Sequence, residues 1–585
     1  MRIIGVSLGY NASACVVDKD GVVFAISEER LTNEKNTKKF PINAVFECMD
    51  FIPKEQLKII VAISSYEVIN ERAYKYIDGL RPEDKGDNFY DTLANYLSRH
   101  LSRPASNFVF IRVEHHEAHR LSGLFLSGFL IDSNTNIIAI TCDGFGDGLS
   151  ASVMDCKTKE ILSRVELKHS LALVYQFVTG ALGFKEHQHE GKITGLAAFG
   201  NPIYTRMFES NLLHFDKSIG AFVSVVENSV GQPEDFNHNI HDFSGFLALK
   251  ARAYSLVNWL TQRGATKKDI AASVQAFVEE QFLSWLKHVL GDYKDAVNIV
   301  LSGGLFANVK LNWEIYNSFS IKKLFVCPPM GDEGTCIGAA IKALILMEGL
   351  PALNLAGFAE DKIYCGCIDN LYCLGYGEIV SQYGAELDEK GYAVLPSVSE
   401  RDVKSLIVGV LAAQKIVCIS RGPVEFGPRA LGNHSILYDA SLQETNLWLN
   451  NKLGRTEFMP FAPIVMDVFK EDLFCKTEGI EKTLKYMTIA LPATEEFINN
   501  YKAALHIDNT ARPQIVSRQD NPLVYFVLDE YYVQTGKKAL INTSFNLHEF
   551  PIVASDKVAI ESFIKADLDL LVLKNCVIIK REALM

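Results

Sequence analysis

The sequence predicts a mixed α/β protein of two domains, the first built twice on one strand–loop–hairpin plan. Its 585 residues exceed what one hydrophobic core usually organises. Hydrophobic residues make up 48% and charged residues 22%, the balance of a soluble globular chain, so packed structure is expected over most of the length. The plan itself repeats. RIIGVSLG, SACVVDKDG and VVFAISEER read as strand, glycine turn, strand, turn, strand, and NIIAITCDGFGDG, LSASVMDCKTKE and ILSRVEL read the same way further along.

Two such units predict a duplicated fold with a cleft between its halves. Their loops are rich in glycine and small residues, which lets a backbone approach a phosphate. The arrangement suggests the actin/Hsp70/sugar-kinase class of phosphate-binding folds. Residues 270–290 carry apolar positions at helical spacing. VNIVLSGGLFANVKLN then reads as a buried strand, a Gly-Gly turn and a helix start, and LFVCPPMGDEGTCIGAAI repeats strand, glycine turn and small-residue helix. Between about 346 and 400 glycine, proline, tyrosine and asparagine become dense and periodicity fades, which marks a boundary. The expected domains are 1–350, with an acceptor-shaping insert near 203–265, a linker over 351–395, and a second α/β domain over 396–585.

The net charge of −12 offers no footprint for an anionic membrane. It disfavours nucleic acid, although a local basic groove remains compatible with it. The insert holds Lys217, Lys250, Arg252 and Arg263 beside many acids and does not decide the matter. The N-terminus reads as a strand and not a signal peptide, and no apolar run is long enough to span a bilayer. A cytoplasmic location with no membrane partner is expected. Twelve cysteines lack a disulfide framework spacing and read as reduced thiols. Cys365, Cys367 and Cys373 cluster without a fourth zinc ligand.

Three clusters carry chemistry in the first half. His115 and His119 in HHEAH share one helix face, as two ligands of one ion must. Taken alone the pair reads as a polar helix start. Asp143 and Asp147 in DGFGD follow a buried strand, where a carboxylate beside glycine-freed N–H groups suits a metal bridging to phosphate; an ordinary Asp-Gly turn is the alternative. Asp332 lies between glycines in GDEG, before a small-residue helix. Two histidines with two aspartates suit Fe(II), Mn(II) or Zn(II) better than Mg(II) or Ca(II). In the second half Arg421, Arg429, Lys452, Arg455 and Arg512 sit in glycine- or proline-punctuated segments, and EFGPRALGNHSIL and HIDNTARPQIV look like anion-cradling loops.

At these residues the chain resembles the NodU/CmcH family of O-carbamoyltransferases. The resemblance runs through SEERLT, HHEAH, DGFGD, EGKITGLAAFG, SGGLFAN, PPMGDEGT, EFGPRALGN, PFAP, DNTARPQIV and INTSFN. It implies an N-terminal domain similar to the tRNA threonylcarbamoyl-transferase subunit and a C-terminal domain similar to threonylcarbamoyl-AMP synthase, the YrdC fold. The second domain would join ATP, with Mg available to it, and carbamoyl phosphate into carbamoyl-adenylate. The first would hold the adenylate against a metal, typically iron, on His115, His119, Asp143 and Asp332, for attack by a small-molecule hydroxyl.

By the same resemblance Gly144, Gly146, Glu190, Gly195, Gly303, Gly304, Asn308 and Gly331 would line the nucleotide site, with Lys192 in the cleft. Arg512, Asn542 and Ser544 would bind carbamoyl phosphate. The family's histidine after the first strand, its expected general base, is replaced here by the pair Tyr10-Asn11. A tyrosine is a poor base at neutral pH, so His116, Glu117 or acidification of the hydroxyl by the metal would take over. Leu453, Met459, His434 and Phe550 also depart from family cations or acids, with Lys452 and Arg455 as substitutes. The same chemistry on a hydroxymethylated pyrimidine, and an adenylate-binding protein without turnover, are the alternatives. A homodimer is compatible with the sequence.

Overall fold

A computed structural model describes residues 1–65, 74–75, 77–132, 135–224, 243–291, 293, 296–360, 373–396, 399–454 and 460–583. The chain divides into two compact units. The first comprises Met1–Phe24 with Asn36–Glu360, and the second Ala25–Lys35 with Asp361–Met585.

Two five-stranded sheets underlie the first unit. One joins β1 (Ile3–Leu8), β2 (Ser13–Asp18), β3 (Gly21–Ser27), β4 (Ile59–Ser65) and β5 (Phe108–Val113) in the order β3-β2-β1-β4-β5. β1 runs antiparallel to β2 and parallel to β4, and β4 is parallel to β5. The other joins β6 (Ile137–Gly146), β7 (Leu149–Asp155) and β8 (Glu160–Glu166) to β11 (Val297–Ser302) and β12 (Ile321–Val326), after a small hairpin of β9 (Leu213–Asp216) and β10 (Ala221–Ser224). Its order is β12-β11-β6-β7-β8, with β6 antiparallel to β7 and parallel to β11. Both orders read third, second, first, fourth, fifth within their halves. The repeat in the sequence is therefore a repeat of topology, that of the actin/Hsp70/sugar-kinase class.

Small residues bring the halves together. Every residue of β1 is buried, as a strand covered on both faces must be. A Cβ on its Gly5 would lie 2.0 Å from the Cys336 carbonyl oxygen, so the helix Thr335–Glu348 rests on the strand backbone. On that helix a Cβ at Gly338 would lie 1.8 Å from the Ala118 carbonyl oxygen of the helix His115–Ser127. The two helices thus touch backbone to backbone, and they carry the site described below.

The helix expected over 270–290 spans Lys267–Val289, capped by the Thr266 hydroxyl, and buries Ile270, Val274, Val278, Phe282 and Trp285 at three- and four-residue spacing. In the 203–265 stretch the described elements are a helix Thr205–Asn211, the β9–β10 hairpin and a helix Phe243–Gln262; residues 225–242 lie outside the described residues.

The second unit contains an eight-stranded sheet. Its strands are β13 (Tyr392–Pro396), β14 (Val417–Ser420), β15 (His434–Asp439), β16 (Ala462–Met466), β19 (Gln514–Val516), β20 (Ala539–Ser544), β21 (Leu570–Val572) and β22 (Cys576–Lys580), with β17 (Leu491–Pro492) and β18 (Thr510–Ala511) paired apart. Val403, Ile407 and Leu411 of the helix Glu400–Ala412 pack with Ile419, Leu437, Val524 and Leu540 in its core. The stretch 351–395, expected as a linker, holds a helix Tyr376–Glu389 and most of β13, which pairs antiparallel with β22. Cys365 and Cys367 lie outside the described residues, and Cys373 is half-buried. Among the described residues no helix is long and apolar enough to cross a membrane.

Gly338→Ala should lower stability by about 1–3 kcal/mol through overpacking, read as a lower urea midpoint at unchanged slope. An unaltered midpoint would contradict the backbone contact between the two helices.

Candidate metal centre and anion site

The helix His115–Ser127 starts where it does because Glu114 caps it, its carboxylate accepting the N–H groups of His116 at 2.9 Å and Glu117 at 2.5 Å. One turn separates His115 from His119, and both are buried. Their Nε2 atoms face each other at 3.1 Å. Asp143 Oδ2 lies 3.3 Å from the first and 3.2 Å from the second, and Asp332 Oδ1 lies 3.6 Å from each.

Asp143 is presented by a break in the sheet. β6 pairs with β7 up to Cys142, then the register shifts before Gly146, which frees residues 143–145 from the ladder. Asp143 Oδ1 accepts the Gly144 N–H at 2.7 Å, leaving Oδ2 for the histidines. Gly146 has a definite task, because a Cβ there would lie 2.1 Å from His115 Cδ2 and evict the imidazole. Asp147, at φ 50°, accepts the His115 N–H at 2.9 Å and pairs with Arg112.

The donor set suits a divalent cation. Its four ligand atoms all lie within 4.8 Å of one another. Donors at about 2.1 Å from a common ion and at right angles are roughly 3 Å apart, close to the separations found. Two neutral imidazoles and two carboxylates carry a charge of −2 for the ion to balance. Without one the carboxylates compete. Burial raises the Asp143 carboxyl but the two histidine hydrogen bonds outweigh it and hold it well below the usual range. Burial and the Asp143 charge push Asp332 well above that range.

His116 corrects an expectation. It is buried, its Nε2 lies 3.1 Å from the Leu149 carbonyl oxygen, and its Nδ1 lies 2.9 Å from Thr141 Oγ1. The carbonyl takes the Nε2 proton, so Nδ1 accepts from the threonine. Burial, with the neighbouring histidines, pushes the ring down to about 3. Both nitrogens are committed to the fold, and His116 is not available as a base. Glu117 pairs with Lys342 at 2.6 Å.

Tyr10 stacks on His187, with ring centroids 3.8 Å apart and planes 19° apart, and Lys38 Nζ lies 3.7 Å from the tyrosine centroid. Asn11, at φ 53°, donates from Nδ2 to Glu333 Oε2 at 3.3 Å, beside Asp332. His187, Lys38 and Glu333 are neighbours of the site that sequence reasoning missed. Only GDEG, which contains Glu333, gave any signal.

Gly303, at φ 115°, would place a Cβ 2.2 Å from the Cys142 carbonyl oxygen, and Gly304 would place one 2.8 Å from Asp143 Oδ1. The Gly-Gly turn thus lies against the end of β6. Gly331 would set a Cβ 2.6 Å from Glu333 Oε2, whereas Gly144 has ordinary room. Asn308 is structural. It caps the helix Val309–Ser318 and exchanges hydrogen bonds with Gln275 at 3.0 and 3.2 Å, which corrects its assignment to the nucleotide. Lys192 and Gly195 are buried in the helix Glu190–Ala197. At the start of that helix, burial pushes the Glu190 carboxyl up to about 7, and Glu190 Oε1 accepts the His187 N–H at 2.6 Å.

In the second unit the EFGPRALGN loop does form an anion nest, but Glu425 fills it. Its Oε1 accepts the N–H groups of Leu431, Asn433 and His434 at 2.8, 2.9 and 3.2 Å, and its Oε2 lies 3.3 Å from His434 Nδ1. His434 thereby serves the nest from within. Burial raises the Glu425 carboxyl, and the His434 contacts and backbone donors outweigh it, leaving the group below its ordinary value. Arg429 emerges from this loop with its Nε sealed from solvent and, among the described residues, without an acceptor. Burial lowers the guanidinium to about 10, so it remains a cation at neutral pH.

Asn542 Nδ2 donates to the Ala430 carbonyl oxygen at 3.1 Å and to Gln514 Oε1 at 2.6 Å, and Gln514 Nε2 donates to the Leu431 carbonyl oxygen at 2.9 Å. These bonds hold the loop carrying Arg429. Arg30, from SEERLT, donates to the Gly427 carbonyl oxygen at 2.9 Å within the same unit, a support the sequence did not disclose.

Other expected cations are occupied. Arg421 pairs with Glu400, and Lys452 donates to the Asp567 carbonyl oxygen at 2.7 Å. Both are withdrawn from the anion set by these partners. Arg512 and Ser544 are half-buried, Leu453 is buried and Phe550 is exposed. Arg455 and Met459 lie outside the described residues.

A duplicated fold of the actin/Hsp70/sugar-kinase class with a two-histidine, two-aspartate pocket, joined to an α/β unit with a half-buried arginine, defines a two-unit α/β protein with a candidate metal centre. A family model of the carbamoyltransferase N-terminus matches residues 2–341, and one of the carbamoyltransferase C-terminus matches residues 408–580. The chain belongs to the carbamoyltransferase family and is an enzyme of carbamoyl transfer. It is 31% identical to uncharacterized protein MJ1051 of Methanocaldococcus jannaschii over 99% of both chains. It is 29% identical to the nodulation protein NolNO of Sinorhizobium fredii over 97% of this chain and 79% of that one. Among solved structures, full-length HypF in its phosphate- and nucleotide-bound form is similar at 16% identity and TM-score 0.30, over 60% of this chain and 56% of that one, too distant a likeness to bear on function.

Gly146→Ala should weaken divalent-metal affinity by about 10–100-fold, the scale of losing a group that orients a ligand, as measured by metal titration with bound content checked by mass spectrometry. Unchanged affinity in the folded variant would argue against His115 as a ligand.

Proposed function

We propose that the chain is an ATP-dependent O-carbamoyltransferase that works in two half-reactions, one per unit. The observation that carries this reading is the four-donor pocket of His115, His119, Asp143 and Asp332 in a chain of this family. Arg429 of the second unit, half-buried with its Nε sealed from solvent, supports the division of labour.

A carbamoyl carbon is a weak electrophile because its nitrogen donates into the carbonyl. Hydrolysis of carbamoyl phosphate to carbamate and inorganic phosphate, then attack of a carbamate oxygen on the α-phosphorus of ATP with release of pyrophosphate, joins the carbamoyl group to AMP and supplies a better leaving group. In the second unit Arg429 would hold phosphate or carboxylate oxygens in its fork while the Asn542–Gln514 clamp keeps its loop in place. Arg512 and Ser544 would share carbamoyl phosphate, and Mg(II) would accompany ATP.

In the first unit His115, His119, Asp143 and Asp332 would hold a divalent ion, Fe(II) by preference with Mn(II) or Zn(II) suited to the same donors. When bound, such an ion supplies positive charge against the phosphate of the departing AMP, an effect worth several kcal/mol. Lys192 would add a second positive charge, and Gly144, Gly303, Gly304 and Gly331 would give backbone access to the nucleotide, with Glu190 and Gly195 beside it. The acceptor would be the hydroxyl of a small molecule. Its oxygen forms the new C–O bond as the bond from the carbamoyl carbon to the phosphate oxygen breaks, the electron pair leaves with AMP, and the hydroxyl proton passes to water.

Two variants test the arrangement. His119→Ala should abolish the carbamoylated product while ATP- and carbamoyl-phosphate-dependent pyrophosphate release continues. Arg429→Ala should reduce pyrophosphate release by at least about tenfold, the cost of losing one charge-assisted contact. Mass spectrometry across an acceptor panel that includes hydroxymethyl-pyrimidine DNA reads the first, and a pyrophosphate assay the second. Loss of both half-reactions together in folded His119→Ala protein would overturn the division.

A further inference from the structure

His187 is held from every side. Its φ of 64° is in the left-handed region, a cost that a non-glycine residue bears only where its surroundings impose it. Its N–H donates to Glu190 Oε1 at 2.6 Å, its carbonyl accepts from Asn36 Nδ2 at 3.3 Å, and its ring stacks on Tyr10.

A relay also sets the position of its proton. Lys250 Nζ and the Tyr254 hydroxyl donate to Glu186 at 2.9 and 2.6 Å. Gln176 Nε2 lies 3.4 Å from Glu186 Oε2 and 3.0 Å from His187 Nε2. A carboxylate only accepts, so the amide turns its NH2 group toward Glu186, and the same nitrogen faces the imidazole. Two donors do not face each other at that distance. His187 Nε2 therefore carries the lone pair and Nδ1 carries the proton, and among the described residues nothing bonds Nδ1. Burial and the nearby Lys38 push the ring down to about 4, which keeps it neutral at neutral pH. Through Tyr10, Asn11 and Glu333 the stack adjoins the loop of Asp332.

We propose that His187 donates a hydrogen bond from Nδ1 to the carbonyl oxygen of the carbamoyl group during transfer, with Gln176 and Glu186 as positioning residues that fix its tautomer. The role rests on the two-half-reaction reading above. As the acceptor oxygen bonds to the carbamoyl carbon, the C=O π pair moves onto the carbonyl oxygen. The Nδ1–H stabilises that charge without transferring its proton, the acceptor hydroxyl's proton passes to water, the π bond then re-forms, and AMP leaves with the electron pair of the broken C–O bond. A donor so placed is worth about 10²–10³ in kcat.

Asparagine and aspartate both tolerate positive φ and are isosteric, but only asparagine presents an N–H near the place of Nδ1. His187→Asn should retain transfer within about tenfold of wild type, while His187→Asp should lose about 10²–10³ in kcat, with pyrophosphate release preserved in both. Equal loss in the two variants overturns the donor role. Imidazole nitrogen NMR of histidine-labelled full-length protein, with His187 assigned by its absence from the Asn variant, should show Nδ1 protonated and Nε2 unprotonated. The opposite tautomer also overturns the proposal. The tautomer is read without turnover, so its failure is distinguishable from failure of the two-half-reaction reading.

Discussion

Two half-buried carboxylates and two buried imidazoles crowd into one pocket, and the first unit is arranged around that crowding. Asp143 and Asp332, both only half-buried, repel each other beside the two buried imidazoles, which holds the Asp143 carboxyl below and pushes the Asp332 carboxyl above the usual carboxylate range. A divalent cation would remove the conflict and draw all four side chains together. The donors come from both repeats. The histidine helix follows β5 of the first sheet, Asp143 ends the leading strand of the second, and Asp332 follows that sheet's last strand. The duplication thus supplies the pocket from separate directions, so its geometry depends on how closely the two halves pack.

That closeness is a matter of missing side chains. Gly5 and Gly338 let the helix Thr335–Glu348 lie against a strand and against the histidine helix, while Gly146 clears space for the His115 ring. Each glycine forgoes conformational stability so that two backbones, or a backbone and a ring, occupy nearly the same place. The second unit uses the opposite device. There a cradle of backbone N–H groups, which would suit an external phosphate, is filled by Glu425. The filled nest stiffens the loop, and the external charge is left to the Arg429 side chain.

Much of the fold was legible because it is written locally. Alternating buried strands and glycine turns gave both repeats, and helical spacing gave the helix after residue 266. The four residues of the candidate metal pocket were legible because each sits near an element end: His115 and His119 one turn apart behind Glu114, Asp143 near the end of a buried strand, Asp332 before a small-residue helix. What stayed hidden depends on partners distant in sequence. His116 resembles a catalytic histidine until Thr141 and Leu149 are seen to hold both its nitrogens. Asn308 resembles a nucleotide contact until Gln275 is found opposite it. The stretch 351–395 reads as a linker because β13 gains its identity only by pairing with β22, far along the chain. Tyr10 looked like a lost imidazole, and no local pattern linked it to His187.

The central claim is that two imidazoles and two carboxylates bind one cation. X-ray absorption at the metal edge of the loaded full-length protein tests it most directly. The account predicts a single mixed nitrogen and oxygen shell at about 2.0–2.2 Å, with the multiple-scattering signature of two imidazole rings. A shell of oxygen alone, or one without imidazole scattering, would contradict it.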